Sequence, residues 1–415
     1  MTRSSTRPPI SRLRMMASLS AIMTASVFGA TTASASLYQE INLVTDDSTF
    51  LASLHQYTPT TQPDDPDLVN PWGISHSATS PFWVSDNNSG LATIYNGSGV
   101  KQGLTVNVNG AGAPPAPANP TGNVFNNTSG FNLPVAGIGG SNKAIFIFAS
   151  EDGTISGWNG GSSTQVMVGA AGTSDVYKGL AIGTVGTSNF LYAANFNTGK
   201  VNVFDTNFAP VVSAGFVDPS PPPVPAGTPA GQGWAPFNVQ QLNGNLYVTY
   251  ALQNAAKHDD VAGAGNGFVD EFDLSGNFIR RVATGGALDS PWGLDIAPAG
   301  FGQFAGDLLV GNFGDGTINV FNPNGTNDFL GTLDDLNGNP IVIGDLWGLI
   351  NGNGGAGGDP NAVYFAAGVM DEAHGLFGEL LVPEPASITI FGVGLIGLMR
   401  LRRRGQSPSS APRAV

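Results

Sequence analysis

Along most of the chain, apolar and polar positions alternate with a period of two in short runs. The stretches "GKVNVFDTN" (199–207) and "GTINVFNPNG" (316–325) show this well, and such alternation predicts half-buried antiparallel strands. Gly-Asp-Gly and Asn-Thr-Gly triplets between the runs are tight-turn signals. The pattern repeats six times: a short apolar segment, a β-rich run, a Gly/Asn/Asp turn, then a second β-run. The six opening segments read "NPWGIS", "VAGIGG", "YKGLAIG", "APFNVQ", "SPWGLDI" and "LWGLING". Gly293 and Gly348 lie 55 residues apart, Gly179 and Gly293 114, and Gly73 and Gly179 106, which gives a period near 55. That is too long for leucine-rich, ankyrin or tetratricopeptide arrays and close to a four-stranded propeller blade of about 40–50 residues.

The predicted fold is all-β, a six-bladed β-propeller of four-stranded antiparallel blades. The propeller is expected over 36–381, with blades at roughly 70–125, 130–170, 177–217, 235–284, 290–334 and 346–381. The N-terminal run "YQEINLVTD" (38–46) stands outside the units and is expected to supply the outer strand of blade six, closing the ring. Proline-rich, nearly uncharged stretches at 111–122 and 218–233 read as stiff surface loops.

Composition narrows the picture. Charged residues make up only 11%, while 58 Gly and 29 Pro indicate dense turns and leave little room for long helices. Nine of the 16 basic residues sit in the first 14 and last 16 positions, so 36–382 carries seven basic against 29 acidic residues, a net −22. A body this acidic repels phosphate backbones, and no nucleic-acid partner is expected. The chain has no cysteine, which excludes disulfides, thiolate metal sites and a cysteine nucleophile.

The two ends carry addresses. Four arginines, a mostly apolar stretch over 15–30 and an Ala33-Ser34-Ala35 cleavage motif predict a signal peptide over 1–35, removed by signal peptidase between the end of that motif and Ser36. At the other end, Pro383-Glu384-Pro385 precedes 12 apolar residues (388–399) and the cluster Arg402-Arg403-Arg404. Twelve is short of the roughly 20 residues that span a bilayer, and only with its flanks does this become a short transmembrane tail held by cytoplasmic arginines. The segment 382–404 resembles the PEP-CTERM sorting tail of Gram-negative bacteria, followed by a basic polar tail over 405–415. That resemblance implies an exosortase-type sorting enzyme as a partner. It also implies transient or permanent contact with the inner membrane, then a place at the cell surface or in an exopolysaccharide-containing matrix.

The body, through "LVTDD" (43–47), "NPWGIS" (70–75) and "SPWGLDIAP" (290–298), resembles exported bacterial propellers of unassigned function. Their fold is expected to be akin to NHL, gluconolactonase and calcium-dependent phosphotriesterase propellers.

Candidate chemistry lies in the turns. Blade four carries the enlarged loop "LQNAAKHDDVAGAGNG" (252–267) and blade six "GVMDEAHG" (368–375), which supply His258, Asp259, Asp260, Asp371, Glu372 and His374. If the loops met at one mouth, carboxylates and imidazoles there would hold a divalent cation or act as acid and base, with His258 and His374 as catalytic candidates. Solvated loop tips are the expected reading. Asp86, Asn195 and Asn312 hold equivalent positions before their turns, and the resemblance to calcium-dependent propeller hydrolases makes them metal candidates with Ca2+ as cofactor. Turn capping is their simpler role. Trp72, Trp234, Trp292 and Trp347 fall at blade starts, where they form either an aromatic rim for sugars or wedges between blades.

The expected function is an exported, non-catalytic surface or matrix propeller that binds a polysaccharide, a cation or a surface protein. The alternative is a divalent-metal-dependent lactonase or esterase-type hydrolase at the channel mouth.

Overall fold

The computed structural model describes residues 37–54, 56–112, 116–169, 174–212 and 215–383. The expected signal segment with Ala33 and Ala35, and the sorting residues Glu384, Pro385, Arg402, Arg403 and Arg404, lie outside them. Among the described residues, no helix is long and apolar enough to cross a membrane.

The body is six four-stranded antiparallel sheets. Their first strands are Pro71–Ser75, Pro120–Phe125, Tyr177–Val185, Trp234–Leu242, Pro291–Ile296 and Leu346–Asn351. Each adjoins the next, and the sixth adjoins the first, so the ring is closed. Five sheets use strands consecutive in sequence. The sixth takes its outer strand, Gln39–Thr45, from the start of the body, paired antiparallel to Leu376–Leu381 with Gln39 opposite Leu381 and Thr45 opposite Leu376. Joining the two ends of the domain in one sheet makes ring opening and loss of that sheet a single event.

One boundary differs from the sequence reading. The opening strand of blade two is Pro120–Phe125, not the "VAGIGG" segment, and 120–125 therefore does not belong to blade one. Ile138–Gly140 is instead a single 3-10 turn with Ile138 on the surface. The reason is close approach at the axis: a Cβ on Gly122 would lie 2.4 Å from the Leu180 amide nitrogen, so only glycine lets these two strands meet. The 111–122 insertion is accordingly shorter than expected, because its last residues are strand.

Every sheet hides both faces. Leu309, Ile318 and Val320 of blade five pack against Leu346, Leu349 and Phe365 of blade six, and comparable apolar layers separate other neighbours. Each such side chain contributes on the order of 1.5–3 kcal/mol by leaving water. No blade has that benefit without its neighbour, which is why the sheets form only as a ring.

Candidate functional site

All six first strands share one irregularity. The pairing register slips across Trp72, Thr121, Lys178, Phe237, Trp292 and Trp347. A β-bulge frees the extra residue from the ladder and re-aims its side chain. Four of the six are aromatic and plug the channel. Trp72 stacks on Trp347 with ring centroids 3.4 Å apart, Trp292 meets both edge-on at 6.1 and 5.8 Å, and Phe237 lies 5.7 Å from Trp347. The exception in charge is Lys178. Its ammonium lies 4.9 Å from the Trp72 ring centroid, and the side chain is 2% exposed.

Carboxylates from two other blades neutralise that ammonium. Glu151, in the second turn of blade two, pairs with it directly, and Asp259 from the long blade-four loop lies 3.5 Å away. Asn87 donates to the other Glu151 oxygen at 2.9 Å, and Nδ1 of His258 is 2.7 Å from Asp259 and 4.0 Å from Glu151. Burial works against the Lys178 charge, but Glu151, Asp259 and Glu372 outweigh it and hold the ammonium above its ordinary pKa. The hydrogen bond to Asp259 raises the His258 imidazole, and the same bond helps hold Asp259 down at about 2.

Blade six supplies the opposite wall. Burial raises Glu372 to about 7, helped by the charges of Glu151 and Asp345 and opposed by a 2.6 Å hydrogen bond from Asn70 and by Lys178. Met370, Asp371 and Glu372 have φ of 64°, 49° and 64°, three successive non-glycine residues in the left-handed region. Each costs roughly 1–2 kcal/mol. The turn persists because Asn88 donates to the Glu372 carbonyl at 2.7 Å while Asn70 grips its carboxyl group. Backbone strain of this kind gathers at functional sites.

The blade-four loop therefore brings His258 and Asp259 to the Lys178–Glu151 pair, and Glu372 of the blade-six loop acts on Lys178 through its charge. Ligand atoms of Glu151, His258 and Asp259 all lie within 4.8 Å of one another. Asp371 is an exposed member of the strained turn. His374 is not part of the group: its Nδ1 lies 2.8 Å from Asp46 and its ring stacks on Phe50 at 3.9 Å, so it braces the short helix Ser48–Ser53 and is corrected from base to brace. Asp86, Asn195 and Asn312 each make local hydrogen bonds, and Asp86 Oδ1 and Asn312 Oδ1 are also buried without a partner. Asp86 accepts from the Thr93 amide at 2.9 Å, Asn195 accepts from Thr198 and Val176, and Asn312 donates to Asp315 and Ala287. Each caps its own turn or its neighbouring strand.

The tryptophans do not make a sugar-stacking rim either. Trp72, Trp292 and Trp347 are 1–3% exposed, and Trp234 packs edge-on against Phe268 between blades three and four. Glu151, Lys178 and Asn87 were not singled out in the sequence. Lys178 was legible in principle, since "YKG" aligns with "PWG" and places the one charged residue in an otherwise aromatic or small position.

The buried carboxyls make stability pH-dependent. Burial raises Asp295 to about 8 and Glu372 to about 7, against ordinary values near 4. A raised folded-state carboxyl binds protons that the unfolded chain releases, so its contribution is full below the unfolded pKa and falls as pH rises through the folded one. Asp259, held low, works the other way and weakens only below about pH 4. The expected result is a melting temperature highest near pH 5 and several degrees lower at pH 8.5, measured by calorimetry. Asp295→Asn flattens that slope.

Among solved structures, the chain is similar to streptogramin B lyase (11% identity, TM-score 0.44, 83% of this chain and 97% of that one). It is also similar to an α-L-arabinanase of Penicillium chrysogenum (10% identity, TM-score 0.46, 82% and 98%). Residues 381–404 match the PEP-CTERM protein-sorting motif, the mark of an exported protein handled by an exosortase-type enzyme. Two uncharacterized proteins of Acanthamoeba polyphaga mimivirus align along the body. L690 is 33% identical over 76% of this chain and 81% of its own length, and R648 is 31% identical over 76% of each. With identity and coverage of this extent, the chain belongs to the protein family that includes mimivirus L690 and R648.

Proposed function

We propose that this exported propeller is a non-catalytic surface or matrix protein that grips a polysaccharide at its acidic mouth. A cleaved signal peptide and a short transmembrane tail deliver it there. The observation that carries the reading is Lys178. Its ammonium pairs with Glu151, lies 3.5 Å from Asp259 and feels the charge of Glu372, so these carboxylates already have a cation. A fixed internal cation satisfies the inner carboxylates without polarising a substrate carbonyl, and it disfavours a second cation beside it. The outer oxygens of Asp259, Asp371 and Glu372 remain as hydrogen-bond acceptors for the hydroxyl or amino groups of a polymer.

The compact Glu151–His258–Asp259 group favours one second reading, a divalent-metal-dependent lactonase or esterase with His258 as base. Calorimetric titration of the protein with neutral, amine-bearing and uronate oligosaccharides, in EDTA and then in Ca2+, separates the two. Metal-independent binding that rejects the uronates, without turnover of an ester and lactone panel, is expected. A Ca2+-dependent rise in melting temperature together with lactone turnover would replace the first reading by the second.

A further inference from the structure

The aromatic plug divides the channel, and the side away from Lys178 holds a cavity of about 230 Å3. Its floor is Trp292, and its walls come from the later residues of the first strands, among them Ser75, Asn123, Gln240, Gln241 and Leu349. No aspartate, glutamate, lysine or arginine lines it, and its one titratable residue is His76, whose Nδ1 and Nε2 are engaged by the Ser77 and Asn351 carbonyls at 2.9 and 2.8 Å. This sets it apart from the acidic mouth.

Two of its polar groups are left over by the fold. Asn123 is 6% exposed, and its Nδ2 donates to the Gly73 carbonyl at 2.9 Å and to Ser85 at 2.8 Å, while its Oδ1 has no partner. Ser75 is 8% exposed, and its hydroxyl has none either. A buried polar atom left unpaired costs about 1–3 kcal/mol, so the fold retains these two at a penalty that an occupant relieves. Both atoms are themselves buried, so an occupant reaches them by turning the Asn123 amide and the Ser75 hydroxyl toward the cavity, where it donates to the first and exchanges a hydrogen bond with the second. It must also be neutral, since a charge here would have no counter-charge. Ile74 and Ile350 offer apolar surface to C–H faces. The volume lies just below the usual 300–1,000 Å3 range of ligand sites, which limits the guest to one small ring.

We propose that this cavity is a second binding site, for a small neutral polyhydroxylated molecule of monosaccharide size. It is independent of the acidic mouth, and its chemistry is opposite: amides and hydroxyls in place of carboxylates.

The test is isothermal titration of the full chain, in a detergent without a sugar headgroup, with glucose, galactose and mannose, and with glucuronate as the charged control. At least one hexose is expected to bind with a millimolar or tighter Kd that does not change between 50 mM and 0.5 M salt. Glucuronate is expected to bind at least tenfold more weakly. Ser75→Ala is expected to weaken the hexose about tenfold with an unchanged melting temperature, and Gln241→Ala, on the open rim, to weaken it less. Failure of all three hexoses to bind below 10 mM would overturn the proposal, as would glucuronate binding as well as they do or a Ser75→Ala affinity equal to the parent's. Binding that disappears at high salt would assign the sugar to the acidic mouth and overturn it equally.

Discussion

Lys178→Met is expected to destabilise the propeller by about 3–5 kcal/mol, the cost of stranding a buried charge by removing its partner. Methionine keeps the aliphatic stem that lies against Trp72, so the loss reports the ammonium and not a packing void. Without it, Glu151 retains one donor, Asn87, and faces Asp259 and Glu372 with no inner cation between them. Asp259 and Glu372, both held down by the Lys178 charge, then take up protons more readily, and the melting temperature of the variant should fall more steeply with rising pH than the parent's. Adding Glu151→Gln to Lys178→Met should restore most of the loss, because replacing both members of a buried pair is far milder than removing one. Urea unfolding of the parent, the single and the double variant at pH 7 is the measurement. A single variant within about 1 kcal/mol of the parent would show that Lys178 is not the hub of the mouth.

That hub also bears on what a metal ion would meet at the mouth. A metal in a propeller channel needs ligand oxygens from several blades aimed inward and left free by their own turns. Here Asp86 Oδ2, Asn195 Oδ1 and the Asn312 amide nitrogen bond locally, although Asp86 Oδ1 and Asn312 Oδ1 are buried without a partner, while Glu151 and Asp259 meet an ammonium already present and Glu372 acts on it through its charge. Blade three provides the cation from within the chain, and the strained turn of blade six carries the carboxyl that feels its charge.

The fold was legible because it repeats. Strand alternation, turn triplets and the approximately regular glycines each appear several times, so a weak signal in one blade is supported by the others. Pro120–Phe125 escaped because "PTG" has neither the aromatic nor the apolar neighbours of "PWG" and follows a proline-rich run. The site was only half legible. His258, Asp259 and Glu372 stand out as charges in enlarged loops. Glu151, in an ordinary-looking "SEDG" turn, is distinguished only by a neighbour 27 residues away in sequence, and that proximity exists only once the ring has closed.

The second large effect is expected at the axis, where the ring itself is set. Gly73, Gly122, Gly179, Gly293 and Gly348 each place their missing side chain against the next blade's first strand, with would-be Cβ distances of 2.2–2.7 Å to the nearest atom. Blade four has Asn238 at the corresponding place, and its amide bridges instead to the Trp292 carbonyl at 2.8 Å. Gly122→Ala should therefore cost more than about 3 kcal/mol or prevent folding, since the atoms it meets are backbone of Gly179 and Leu180 and cannot rotate away. Gly103→Ala, where nothing lies within 4 Å and φ is not positive, should stay within about 0.5 kcal/mol of the parent. Denaturant unfolding, or soluble yield if the first variant does not fold, distinguishes them. Equal stability of the two would mean that the blades tolerate an outward step of a few tenths of an ångström each. The tight aromatic plug, and the separation of the acidic mouth from the neutral cavity beyond it, would then not follow from the glycines.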